Sequence, residues 1–204
     1  MESLSLNKKY NKKEKKEIVI KNVIKMLCNR KLLDKTKIDS YYNNIIKNYS
    51  TLSYFEIKLL DNTILNVMLI DSKITSIKKI DNIDEILLNN KKKIFIVNSI
   101  QNKIWEILIQ HNIEVFYYYE FLINIVDHDL VPEHILLVDS DKNDFLKLYK
   151  DQLSKIPFIL QSDPITRYFN ANVNDIFKIK RVSPTSGISY YYRIVKQSSL
   201  PDML

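Results

Sequence analysis

The stretch Asp175 to Lys196, DIFKIKRVSPTSGISYYYRIVK, reads as two strands and the turn that joins them. Phe177 and Ile179 alternate with Lys178 and Lys180, and further on Tyr190, Tyr192 and Ile194 alternate with Tyr191, Arg193 and Val195. A period of two is the signature of a strand with one face buried. Ser183-Pro184-Thr185-Ser186-Gly187 supplies the turn, and Gly187, the only glycine in the chain, is free to take a positive φ there. Just upstream, Asp163-Pro164 places a capping carboxylate before a proline at the first helical position, which opens a single helical turn through Tyr168. Asp144 to Lys150 reads as another short helix. The C-terminal part is therefore expected to be a small α+β unit.

Its border is drawn by His128-Asp129-Leu130-Val131-Pro132-Glu133-His134, which holds two of the three histidines. Imidazole and carboxylate suggest a metal site, but helical zinc motifs set two histidines at i and i+4, whereas these are six apart with Pro132 between them. No cysteine pair or further histidine lies nearby to complete a shell, so no metal or other cofactor is assigned. Pro132 removes a helix donor and pushes Val131 toward extended backbone, so the segment reads as a bent strap that joins two domains. Four of the five prolines and the only glycine lie beyond it. The division is placed at 1–125 and 126–204.

Before the strap, Glu14 to Arg30 sets Ile18, Val19, Val23, Met26 and Leu27 at helical spacing, and a second helix begins after Asp39. Tyr54 to Leu60 and Ile64 to Ile70, split by Asp61-Asn62, read as a hairpin. Asp81 to Leu88 is helical, Ile94 to Val97 a fully apolar strand, Ile100 to Gln110 helical and Val115 to Tyr119 a strand. This is an α/β unit, a mixed sheet with flanking helices, preceded by a flexible lysine-rich tip at 1–13.

The formal charge of +7 is unevenly spread. Residues 1–25 carry eight Lys against three Glu, 113–151 carry nine acidic side chains against three Lys, and 166–196 carry six Lys or Arg against Asp175. Heavy use of Lys, Asn, Ile and Tyr fits codons of an AT-rich genome, which discounts basicity as evidence for nucleic acid. The single cysteine, Cys28, allows no internal disulfide, and no apolar run approaches the ~20 residues that span a bilayer. A reducing, intracellular setting without membrane attachment is the expectation.

Leu130-Val131-Pro132-Glu133-His134, Ile156-Pro157, Asp163-Pro164, Arg167-Tyr168, Lys178 to Arg181, Ser183, Thr185, Gly187 and Tyr192-Arg193 follow one another in the order and spacing of one family. The chain resembles the fifth subunit shared by the eukaryotic nuclear RNA polymerases, whose C-terminal part corresponds to a small subunit of the archaeal RNA polymerase. The resemblance is sharp from Phe121 to Lys196, and upstream it is one of element order. Phe158 stands where the family has arginine, and Asn170 and Asn174 stand at positions where it tends to carry glycine. Asn is the other residue that best tolerates left-handed backbone. The turn proline has moved from position 182, now Val182, to Pro184. These departures point to a divergent, virus-encoded member.

The resemblance implies a non-catalytic subunit of a multisubunit DNA-directed RNA polymerase, a heteromultimer placed in the nucleus, or in the cytoplasm or virion for a viral enzyme. Residues 1–125 would be a jaw near downstream DNA, and 126–204 an assembly domain docked on the largest subunit. Its contacts would come from Pro132, Glu133, His134, Pro157, Asp163, Pro164, Arg167, Tyr168, Arg181, Ser183, Thr185, Gly187, Tyr192 and Arg193. Arginine forks suit partner carboxylates, and tyrosines give rigid contact area. Ser99, Gln101, Asn102 and Lys103 would lie near the duplex and meet phosphate only. Two other readings remain at this stage. One is a free-standing DNA-binding module acting through the N-terminal lysines. The other is a Mg²⁺-dependent nuclease built on Glu56, Lys58 and Asp34 or Asp39.

Overall fold

The computed structural model describes residues 10–49, 53–76, 80, 91–183, 185 and 187–198. The chain forms two compact units, Met1–Asn124 and Ile125–Leu204. The expected helix at Asp81 to Leu88, positions 1–9 of the basic tip, Pro184 and Ser186 lie outside the described residues.

Unit 1 opens with helix α1, Lys12–Asn29. Its start is fixed reciprocally: Asn11 accepts the Glu14 N–H at 2.9 Å and donates its own N–H to the Glu14 carboxylate at 2.8 Å. Val19, Ile20, Val23, Ile24, Met26 and Leu27 are all buried without exposure. Helix α2 spans Ile38–Asn48 and so starts before Asp39, after a 3₁₀ turn at Lys35–Lys37 that Asp34 caps. The sheet follows in the order β1, β2, β3, β4, with β1 Tyr54–Lys58, β2 Ile64–Ile74, β3 Lys92–Ile100 and β4 Ile113–Tyr117. β1 and β2 form the expected antiparallel hairpin. Asn62 takes φ 64° at its turn, and Asp61 accepts the Thr63 N–H and hydroxyl.

β2 with β3 and β3 with β4 are parallel. This explains the uninterrupted apolar run of β3, because parallel strands are covered on both faces. Helix α3, Asn102–Gln110, connects β3 to β4 and packs Ile104, Trp105 and Leu108 on Phe95, Val97 and Val115. β4 ends earlier than the alternation implied. Tyr118 begins a short helix α4, Tyr118–Leu122, because the Glu120 carboxylate accepts the Tyr117 N–H at 2.6 Å and starts a helical turn. Asn22 of α1 donates to the Phe121 carbonyl at 2.7 Å, which ties α4 to the first helix.

Unit 2 is a second mixed sheet in the order β5, β7, β8, β6, with β5 Glu133–Leu136, β6 Phe158–Leu160, β7 Ile176–Ser183 and β8 Gly187–Lys196. β7 and β8 are the antiparallel pair read from the alternation, in a register that closes at Ser183 opposite Gly187. β5 is antiparallel to β7, and β6 is parallel to β8. Neither outer strand was apparent in the sequence. On one face Phe177, Ile179 and Val195 pack with Ile159, Ile165 and Ala171. Helix α5 covers part of the other face. It spans Asp139–Leu148 rather than Asp144 to Lys150, and is held by a Lys142–Asp175 ion pair at 2.8 Å. Helix α6, Pro164–Phe169, is capped by Asp163, which accepts the Ile165 N–H at 2.9 Å, and ends at Asn170 with φ 50°. Asn174 follows at φ 72°, so both asparagines occupy the left-handed region.

Candidate partner-binding surface

The HDLVPEH stretch is divided between two local structures. A turn comes first: the Val131 N–H donates to the His128 carbonyl at 2.9 Å, and the Leu130 N–H to His128 Nδ1 at 3.2 Å. Glu133 then begins β5, so the second half of the strap is a paired strand rather than a bare connection. Glu133 pairs with Lys180 at 3.5 Å across the β5–β7 ladder. His134 sits edge-on to Phe177, with Nδ1 2.7 Å from the Pro132 carbonyl. Burial pushes its pKa below the ordinary value of 6.5, the Pro132 carbonyl and Asp163 oppose this, and Arg193 and Arg181 add to it. Among the described residues, no group of three or more His, Cys, Asp or Glu side chains is arranged to hold a metal ion.

Asp163, Pro164, Arg167 and Tyr168 are brought together by α6 but differ in exposure. Asp163 is committed to the helix cap, Pro164 is exposed at N1, Arg167 is half-buried and Tyr168 is buried in the unit. At the hairpin tip the Ser183 and Thr185 hydroxyls are 3.1 Å apart, and Gly187 has φ 72° with open space where a Cβ would stand. Its requirement is therefore one of backbone conformation rather than of room.

Unit 2 carries a groove of about 520 Å³. Ile156, Pro157, Arg181, Tyr192 and Arg193 line it together with Phe145, Tyr149 and Lys155, which were not singled out in the sequence. They were missed because α5 and the segment before β6 reach β8 only through the fold. The Tyr192 ring packs at a tilt on Phe145, 4.5 Å between ring centroids, and Tyr149 completes this cluster. Tyr190 and Tyr191 are each 50% exposed, with Lys178 4.3 Å from the Tyr190 ring and Arg181 4.8 Å from the Tyr191 ring. These cation–π contacts keep aromatic area at the surface beside positive charge.

In unit 1, Ser99 lies near the end of β3, paired with Lys73, while Gln101, Asn102 and Lys103 are exposed at the start of α3. The Gln101 N–H is taken by the Ile74 carbonyl at 3.2 Å. Asp71 gathers Lys12 at 3.0 Å, Lys16 at 3.3 Å and the Tyr118 hydroxyl at 2.6 Å in the same unit. Burial acts to raise the Asp71 carboxyl, but these donors outweigh it and hold it below the usual range; burial and Asp71 together drive Tyr118 far up. The three carboxylates of the nuclease reading are each engaged elsewhere. Glu56 accepts the Tyr54 hydroxyl at 2.6 Å and pairs with Lys91, Asp34 is taken by Thr36, and Asp39 faces Lys21 at 3.9 Å. Among the described residues, no helix is long and apolar enough to cross a membrane.

Residues 123–195 match the family model described as RNA polymerase Rpb5, C-terminal domain. DNA-directed RNA polymerase subunit 5 of Acanthamoeba polyphaga mimivirus is 32% identical over 191 residues, which is 89% of this chain and 92% of that protein. Subunit Rpo5 of Thermococcus kodakarensis is 47% identical over 72 residues, 88% of its own length but 35% of this chain. RPABC1 of Caenorhabditis elegans, named as a subunit of RNA polymerases I, II and III, is 36% identical over 97 residues, 48% of this chain and 46% of that protein. With a likeness that runs through both units, the chain belongs to the RNA polymerase subunit 5, or Rpb5, family.

Proposed function

We propose that the chain is a non-catalytic subunit of a multisubunit DNA-directed RNA polymerase, with unit 2 as its assembly domain and unit 1 as its jaw. The observation that carries this reading is the 191-residue likeness to a viral polymerase subunit 5, which extends beyond the C-terminal domain shared with the archaeal subunits. Unit 2 has the surface for such a role. Arg181, Arg193 and Lys155 converge with Tyr190, Tyr191 and Tyr192 on one groove, and arginine and tyrosine are the side chains that anchor interfaces most strongly. The partner on this surface is the largest polymerase subunit. In unit 1, exposed Asn102 and Lys103 at the start of α3 meet phosphates of the downstream duplex, a contact that positions the chain and carries no sequence information. Cross-linking mass spectrometry of the assembled enzyme with an amine-reactive linker tests both assignments. Links from Lys155 and Lys178 to the largest subunit are expected, and links from these lysines solely to other subunits would refute the docking assignment. DNA photo-cross-linking is expected to label unit 1 near Lys103, and labelling confined to unit 2 would refute the jaw assignment.

A further inference from the structure

The pairing of unit 2's sheet leaves part of β8 uncovered. β7 runs opposite β8 from Gly187 to Ile194, whereas β6 covers its other side only from Ile194 to Lys196. The Ile194 N–H points outward and donates to the Pro157 carbonyl at 3.1 Å. Backbone groups alternate in direction along a strand, so the N–H and C=O of Tyr192 and Tyr190 point the same way, and among the described residues no strand lies opposite them. Open edges are usually shortened, bulged or blocked with proline, because they invite another strand. Here the open edge runs along the groove instead, with Ile156 and Pro157 as one wall and the Tyr191 ring as another.

Charge selects the occupant. Arg181, Arg193 and Lys155 line this groove, and among the described residues none of them has a carboxylate within ion-pair distance. Two guanidinium forks and an ammonium beside unpaired backbone groups match an extended peptide that carries carboxylates: its main chain continues the ladder, and its acidic side chains take the forks two bonds at a time. A second copy of this chain meets like charge, since the same three cations line the groove of each copy. A nucleic acid satisfies the cations but cannot supply the alternating donors and acceptors that the strand edge presents.

We propose that the open edge of β8, from Tyr190 to Arg193, captures one extended acidic segment of a partner polymerase subunit as an added strand. This rests on the subunit reading above and names the chemistry of its docking surface. The test is residue-resolved amide hydrogen exchange on the full chain, free and within purified polymerase. Tyr191 and Arg193 amides, which face β7, are expected to be protected in both states. Tyr190 and Tyr192 amides are expected to exchange readily in the free chain and to slow by a hundredfold or more in the enzyme. The double variant Arg181→Glu, Arg193→Glu leaves both strand ladders in place and is expected to weaken retention in the enzyme at least tenfold.

Incorporation into the enzyme with Tyr190 and Tyr192 exchanging as in the free chain would overturn the added strand and leave the subunit reading intact. Undiminished retention of the double variant would overturn the acidic character of the occupant. Failure of the unmodified chain to enter any polymerase would overturn the subunit reading and this proposal with it. Slowing that appears in the free chain as concentration rises, with a dimer in sedimentation, would assign the edge to a second copy and overturn the proposal, as would slowing on addition of duplex DNA alone.

Discussion

Removing Arg30 deprives Glu114 of the group that lets a carboxylate stand beside the core of unit 1. The guanidinium donates twice, at 3.0 Å to one carboxylate oxygen and 2.7 Å to the other, and ties the end of α1 to β4. The Arg30 side chain is 5% exposed and Glu114 27%. Breaking a fully buried pair costs about 3–5 kcal/mol, and a surface pair about 0.2–1. A pair buried on one side and a quarter open on the other falls between, so Arg30→Met is expected to cost ~2–3 kcal/mol and Glu114→Gln ~2. Losing both charges together removes the penalty of an orphan, and the double variant is expected to cost about as much as either single change. The coupling is then ~2 kcal/mol. For a unit of this size, ~2 kcal/mol lowers Tm by about 8 °C. Trp105, the only tryptophan and 2% exposed in the core of unit 1, reports the transition by its emission. Additive single effects below ~0.5 kcal/mol would show that the paired geometry contributes nothing and would refute the reasoning.

Three further outcomes follow from unit 2. His134 is held neutral by burial below its ordinary pKa of 6.5, so the unfolded chain binds the proton more readily. Stability is therefore full above about pH 6.5 and declines as pH falls toward the folded value. Amide exchange of Ile179 between pH 7 and 5.5 checks this, and a slope undiminished in His134→Gln would contradict it. The Thr166 hydroxyl is fully buried without a hydrogen-bond partner among the described groups, so Thr166→Val is expected to gain up to ~1 kcal/mol in denaturant unfolding; a loss would reveal a hidden partner. Asn170 at φ 50° ends α6, so Asn170→Ala is expected to cost ~1 kcal/mol while Asn170→Gly costs nothing; equal effects in the same denaturant assay would refute the strain argument.

Legibility from sequence tracked the range of the interactions involved. β7 and β8 were readable because alternation at period two encodes their own faces, and the turn between them carried its glycine. α6 was readable from Asp163-Pro164 because capping is local. β5 and β6 were not: four and three residues are too few for a period, and each is a strand only because β7 or β8 lies beside it. β4 was read two residues too far because Tyr118 and Tyr119 continue its aromatic pattern, while the Glu120 carboxylate turns the chain into a helix. The same rule holds for the surface. Arg181, Tyr192 and Arg193 came from local motifs, but Phe145, Tyr149 and Lys155 join them only after α5 and the approach to β6 have folded against β8. The open edge of β8 is set by a strand register, which no single stretch of sequence contains.

A subunit of a polymerase must be found in the polymerase. The most direct measurement is affinity purification of the tagged full chain from the cells or particles that make it, at low and high salt, with mass spectrometry of stoichiometric partners. Recovery of the two large subunits of one RNA polymerase with the chain at equal stoichiometry, retained at high salt, is expected. Recovery of the chain alone under both conditions would contradict the subunit reading, and would mean that an Rpb5-type fold had been put to another use.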